Sequence, residues 1–277
     1  MESFQASDGR SIAYRDTGGD GPAILCLAGL TRDSRDFTRL ADHLAKEYRV
    51  VSMDYRGRGQ SEWAEEPVRE YSIVVEGRDA VELLSHLELP SATIIGTSRG
   101  GLIGMGLAAQ APGLVTALIL NDIGPEMTQS GLEFIMTYLG RPVSYPDFEA
   151  AAQALKAAFE AEATDLTHAQ WLAFAKDTYV EGEDGLSLSY DPKLREAVAA
   201  AMDGPTPDLW PFFEAINCPL LVIRGANSGL LTGDTVREMH RRKPSLTSVE
   251  IPNRGHCPFL DEPPARAAID DFLRAHA

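Results

Sequence analysis

Basic residues are scarce in this chain: 25 lysines and arginines stand against 41 aspartates and glutamates, a formal charge of −16 over 277 residues. A surface of that sign repels phosphate backbones, so nucleic acid is not an expected partner. Cysteine is scarcer still. Cys26, Cys218 and Cys257 are too few and too scattered for a disulfide framework or a zinc site, and no metal is expected. No apolar run approaches the roughly 18 residues of a membrane-spanning helix, so no membrane partner is expected. The start, MESFQASDGRS, lacks the basic residues and apolar core of a secretion signal, and the expected location is the cytoplasm. Internal repeats and low-complexity linkers are also missing.

Hydrophobic residues make up 44% and charged residues 24%, ordinary values for a globular chain with a sizeable core. Short apolar runs alternate with amphipathic stretches, the pattern of a mostly parallel sheet flanked by helices, an α/β fold. SIAYRDT (11–17), AILCLA (23–28), RVVSMDY (49–55), ATIIGT (92–97), VTALILND (115–122), PLLVIRG (219–225) and SVEIP (248–252) read as strands. Several are apolar throughout, as expected of strands covered on both faces. ESFQAS and SIAYRDT, separated by Asp8-Gly9, predict an antiparallel edge hairpin. Phe37, Leu40, Ala41 and Leu44 share one helix face, as do Ile73, Ala80, Leu84 and Leu87. A last helix carries Ala265, Ala268, Ile269, Phe272 and Leu273 behind Pro263-Pro264.

The alternation breaks once. Between Pro125 and Ala215 no strand-like run occurs, only alanine-rich helical stretches such as 147–163 and 168–180. Because this region starts and ends inside the alternating core, it reads as a helical cap, 125–215, inserted between core segments 1–124 and 216–277.

The strongest chemical signal is GTSRGG (96–101), which follows the strand ATIIGT and precedes the helical GLIGMGLAAQ. Gly96-Thr97-Ser98-Arg99-Gly100 fits the G-x-S-x-G nucleophile elbow in its strand–turn–helix context. Such a turn crowds the serine's neighbours, so residues without a Cβ relieve it. The hydroxyl then stands at a helix N-terminus, where developing negative charge is favoured.

A serine hydroxyl needs a base to become a nucleophile. Of the histidines, 43, 86, 240 and 276 sit in or at the ends of charged helices, and 168 lies in the insertion. His256, in the glycine-containing loop NRGHCPFLDEP, alone follows a strand and is the expected base. Cys257 beside it is a second conceivable nucleophile, displaced by the better-placed serine.

At these residues the chain resembles the α/β-hydrolase superfamily: Ser98 in GTSRGG, DYRGRGQS (54–61) and RGHCPFLDEP carry the likeness over essentially the whole length. The resemblance implies an eight-stranded sheet, a cap after the sixth strand and a Ser–acid–His triad, working without a cofactor. It also implies an oxyanion hole whose backbone N–H donors belong here to Leu30 and Arg99. Ala28-Gly29 stands where the family usually has His-Gly, and the glycine that permits close approach is kept.

The usual triad aspartate of close relatives falls at position 229, which is Gly229 here. Asp234 fits a structural acid in the first turn of a helix capped by Thr232. The other seat used in the superfamily follows the sixth strand, and Asp122 in LILNDIGP fills it. Asp122 is the expected partner of His256, with a turn aspartate as its structural alternative.

Two readings of Arg32 stand: a bidentate hold on a substrate carboxylate, or a pair with Asp33 or Asp36. Trp171, Phe134, Tyr138 and Phe174 line an acyl pocket in one reading and fill the insertion's own core in the other. Asp54, Arg56, Gly57, Arg58, Gly59 and Ser61 read as structural, tying loops together. The expected function is hydrolysis of a small or medium carboxylic ester or lactone through an acyl-enzyme. C–C, amide and thioester hydrolysis use the same machinery, and a low-turnover binding or signalling protein, an oxygenase or an acyltransferase shares the scaffold.

Overall fold

The computed structural model describes residues 1–204 and 206–277. The apolar runs become strands β1 (Glu2–Gln5), β2 (Ser11–Asp16), β3 (Ala23–Leu27), β4 (Arg49–Met53), β5 (Ala92–Thr97) and β6 (Val115–Asn121). Four more follow: β7 (Tyr179–Gly182), β8 (Gly185–Leu188), β9 (Leu220–Gly225) and β10 (Thr247–Ile251). Eight of these form one sheet in the order β1-β2-β4-β3-β5-β6-β9-β10. Pairings from β4 through β10 are parallel, and β2 runs antiparallel to both β1 and β4. Helices cover both faces, which is why Ile24 to Leu27, Ile94, Ile95 and Leu118 to Leu120 are all fully buried.

The flanking helices follow the expected stripes with one exception. Phe37, Leu40 and Leu44 are buried under Ser34–Phe37, a 3-10 turn, and helix Thr38–Leu44. Ala265, Ile269, Phe272 and Leu273 are buried in helix Pro263–His276. Helix Ile73–His86 departs from expectation. Ile73 is 37% exposed, whereas Glu76 and Asp79 are wholly buried beside Ala80 and Leu84. Arginines from the loop after β4 meet those two carboxylates, so ion pairing overrides the apolar stripe.

Between β6 and β9 lie helices Gln129–Tyr138, Phe148–Phe159, His168–Thr178 and Leu194–Met202. Thr128, Asp147 and Thr167 cap the first three by accepting a hydrogen bond from a first-turn amide. The expectation of a strandless insertion fails here: β7 and β8 pair antiparallel across a tight turn. The helix expected over 168–180 ends at Thr178, where Tyr179 enters β7. Ala151, Leu155, Trp171, Ala175, Tyr179 and Leu186 form an apolar cluster separate from the sheet's core. This part of the insertion packs on itself, while Phe213 joins the sheet's core, and the stretch after β8 is tied to the loop after β4 by Gly59 N to Ser189 O (2.8 Å) and Asp191 N to Gly57 O (2.8 Å). Among the described residues no helix is long and apolar enough to cross a membrane.

Candidate active site

The loops that leave the carboxyl ends of β3, β5, β6, β9 and β10 converge, the usual place for a ligand on an open parallel sheet. Between β5 and helix Arg99–Gln110 stands Ser98, at φ 49° and ψ −113°. A non-glycine residue in such a region carries strain of about 1–3 kcal/mol and persists only where its surroundings fix it. They do: Ser98 N donates to Asn121 O (3.0 Å) and Gly101 N donates to Ser98 O (2.9 Å). A Cβ on Gly96 would lie 2.5 Å from the Gly100 backbone, and one on Gly100 would collide with the Leu27 carbonyl. The glycine spacing is therefore the imprint of helix and strand crossing at contact distance.

The structure brings His256 and Asp122 to this serine. His256 Nε2 is 2.9 Å from Ser98 Oγ, and His256 Nδ1 is 2.7 Å from Asp122 Oδ2. With a carboxylate at Nδ1 the ring proton resides there, leaving Nε2 to accept from the serine hydroxyl. Asp122 is fully buried, at φ 54°, directly after β6. Its Oδ1 accepts from Gly225 N (2.8 Å), and its Oδ2 also accepts from Ser228 Oγ (2.5 Å). Ser228 Oγ itself accepts from the amides of Leu230 (3.2 Å) and Leu231 (3.1 Å), which aims its proton at Asp122. The loop after β9, the family's usual seat for the acid, instead supplies donors to Asp122, the expected acid, at the end of β6. Gly229 has no side chain to offer, and Asp234 is exposed and pairs with Arg237.

Two residues that support His256, Ser228 and Glu162, carry no motif signal. Ser228 is one step removed, through Asp122. Glu162, between the helices of the insertion, accepts from the backbone amide of His256 at 3.2 Å. Its own carbonyl accepts from Asn227 Nδ2 (2.9 Å), and nearby Asp165 pairs with Arg254. The neighbouring thiol of Cys257 is pushed well up by burial and by the charge of Asp122, so it stays un-ionised at neutral pH.

Leu30 and Arg99 flank the serine. Gly29 lies close enough that a Cβ there would be 4.0 Å from the Ser98 Cβ. Gly100 N and Tyr55 Oη both donate to Ala28 O, each at 3.1 Å, fixing the loop after β3 against the elbow. Neither the Leu30 nor the Arg99 amide donates to another backbone group among the described residues. Arg99 is the first residue of its helix, where the amide has no intrahelical acceptor and the dipole favours negative charge.

A cavity of about 480 Å³ rises from Ser98, Leu30 and His256 to the insertion. Phe134, Tyr138 and Phe159 meet edge to face on its wall, with centroids 5.9–6.2 Å apart. Trp171 contributes to the lining but is only 2% exposed and belongs to the insertion's core. Arg32 also lines the cavity. Its guanidinium lies bidentate on Asp36, with Nε at 2.9 Å and Nη2 at 2.5 Å, donates to Thr178 Oγ1 and stacks over Phe174. Of its two expected roles, the pair with Asp36 is the arrangement observed.

Comparison with known proteins agrees with this architecture. The family model described as "Alpha/beta hydrolase family" matches residues 24–269. A 3-hydroxybutyrate-oligomer hydrolase of Cupriavidus necator is 42% identical over 272 residues, 93% of this chain and 90% of that protein. An esterase of Mycobacterium tuberculosis is 26% identical over 260 residues, 91% of this chain and 82% of that protein. The crystal structure of an alpha/beta hydrolase from Novosphingobium aromaticivorans, 39% identical, superimposes with a TM-score of 0.93 over 99% of this chain and 97% of that one. From the converging loops, the strained serine and these matches together, the chain belongs to the alpha/beta hydrolase family.

Proposed function

We propose that this chain hydrolyses small or medium carboxylic esters, among them oligomers of 3-hydroxybutyrate, through an acyl-enzyme on Ser98. One observation carries the reading. An unbroken line of hydrogen bonds runs from buried Asp122 through His256 to Ser98, at the base of a largely apolar cavity with an aromatic wall. His256 Nε2 takes the hydroxyl proton as Ser98 Oγ bonds to the ester carbonyl carbon, and Asp122 stabilises the imidazolium. The carbonyl oxygen, now an oxyanion, is held by the Leu30 and Arg99 amides. His256 returns the proton to the departing alkoxide, leaving the acyl group on Ser98. Water then attacks by the same route, His256 taking its proton, and the carboxylic acid leaves as Ser98 regains its hydrogen. Nothing in these steps calls for a cofactor. The likeness to the oligomer hydrolase supports a hydroxy-acid ester as substrate, and the aromatic wall suits its methyl-bearing backbone.

The test is hydrolysis of 3-hydroxybutyrate dimer and trimer beside p-nitrophenyl esters of two to eight carbons. Turnover of the oligomers and of the shorter esters is expected. Folded protein that cleaves no ester in such a panel would contradict the assignment.

A further inference from the structure

Beneath the serine lies an ion cluster that the reaction steps leave unused. Helix Ile73–His86 carries two carboxylates without solvent exposure, Glu76 and Asp79. Each accepts from a buried arginine of the loop after β4. Asp79 takes Arg56 Nε and Nη2, both at 2.7 Å, and Glu76 takes Arg58 Nη1 at 2.8 Å. There the likeness ends. The other oxygen of Glu76 accepts from Arg99 Nε at 2.5 Å, and Arg58 Nε donates to the carbonyl of Leu30 at 3.0 Å. One carboxylate is thereby joined, through an arginine on each side, to the two residues whose amides flank Ser98.

Stability alone is a poor reason for this arrangement. Apolar residues of similar volume often replace a buried Arg–Glu–Arg group with no loss. Arg58 also retains a buried Nη2 with no partner among the described residues. What the cluster does supply is rigidity. Arg99 is held at a second point by the Tyr71 carbonyl (2.9 Å), so the first turn of its helix cannot rotate freely. Arg58 is stacked against the rings of Tyr55 and Tyr71, with centroids 5.4 and 5.3 Å away, and Tyr71 Oη donates to Asp191 of the insertion at 2.6 Å.

We propose that Glu76 is a positioning residue that sets the relative placement of the Leu30 and Arg99 amides as an oxyanion hole. The proposal rests on the ester-hydrolase reading of Ser98. Oxyanion donors act when held about 2.7–3.1 Å from the oxygen's position in the transition state. A misplacement of about 1 Å can cost on the order of 100-fold in rate. Removing the charge of Glu76 weakens the ties to both donors at once without deleting either.

Asp79 provides the control, since it is equally buried, on the same helix and paired with a neighbouring arginine, yet reaches neither donor. Glu76→Gln and Asp79→Asn are compared for melting temperature, kcat and KM on p-nitrophenyl butyrate, and affinity for a trifluoromethyl ketone that forms an oxyanion on the serine. Both variants are expected to melt lower. Glu76→Gln is expected to lose roughly tenfold or more in kcat with KM within about twofold, short of the roughly 10²–10³ of a deleted donor. Its affinity for the ketone should fall by the same factor, whereas Asp79→Asn keeps both. If Glu76→Gln does not fold, Arg99→Met cuts the Arg99 side of the tie while retaining the amide, and a kcat loss of several-fold with little change in KM is expected. Equal losses in the two acid variants, or full activity in Arg99→Met, would overturn the positioning role and leave the ester-hydrolase reading intact. A wild-type protein that turns over no ester would overturn that reading, and this one with it.

Discussion

Below the cavity, Ser98, His256 and Asp122 are each tied by hydrogen bonds to at least two loops of the sheet, and Asp122 accepts three. Above it, Phe134 and Tyr138 are 40% and 38% exposed and meet Phe159 only edge to face. The floor is held by directional bonds inside a close-packed sheet, where a small displacement is felt at once. The aromatic residues of the roof meet by apolar contact, which tolerates exchange of side chains of similar volume. In this account the floor carries the reaction and the roof the choice of substrate, and substitutions in the two should differ in kind as well as size.

The largest effect is expected at the nucleophile. Ser98→Ala should lose about 10³–10⁶ in kcat while binding ester with little change, as measured by steady-state and equilibrium binding. Next comes the acid: Asp122→Asn should lower kcat about 10²–10⁴-fold, and Asp234→Asn should leave it unchanged. Near-wild-type rates for Asp122→Asn would detach Asp122 from the reaction. Ser228→Ala removes a hydrogen bond to a charged group, worth about 1.5–3 kcal/mol, so kcat should fall roughly ten- to hundredfold if the bond tightens in the transition state. The roof should behave otherwise. Trp171→Ala is expected to destabilise the fold by about 3–5 kcal/mol through the cavity it opens, read from urea unfolding. Phe134→Ala should shift KM and acyl-length preference several-fold with kcat on the shortest ester nearly unchanged. A Phe134 variant that loses kcat on every ester equally would erase the distinction between floor and roof. The smallest effect is expected at Cys257, whose un-ionised thiol should resist iodoacetamide at pH 7.

Legibility in the sequence divides along the same line. The elbow is visible because its sterics are written in adjacent residues: Gly96 and Gly100 stand where a Cβ would strike backbone. The sheet is visible because strands buried on both faces must be apolar throughout. Asp122 was one of two candidates, since choosing it requires knowing that the loops after β6 and β9 meet. Ser228 carries no charge and gave no signal before that meeting. The β7–β8 hairpin was missed because each strand has only four residues, although Glu183-Asp184-Gly185 is a turn signal of the kind recognised at Asp8-Gly9. Glu76 was hidden for a deeper reason. Periodicity treats charged residues as the outer face, and here paired arginines turn two acids inward while Ile73 faces out.

The central claim is that Ser98, activated by His256, forms a covalent acyl-enzyme. Its most direct test is labelling of the folded chain with a fluorophosphonate, followed by peptide mass mapping. One adduct is expected, on Ser98, vanishing in Ser98→Ala and forming far more slowly in Asp122→Asn. No adduct on folded wild type, or an adduct on another residue that persists in Ser98→Ala, would contradict it.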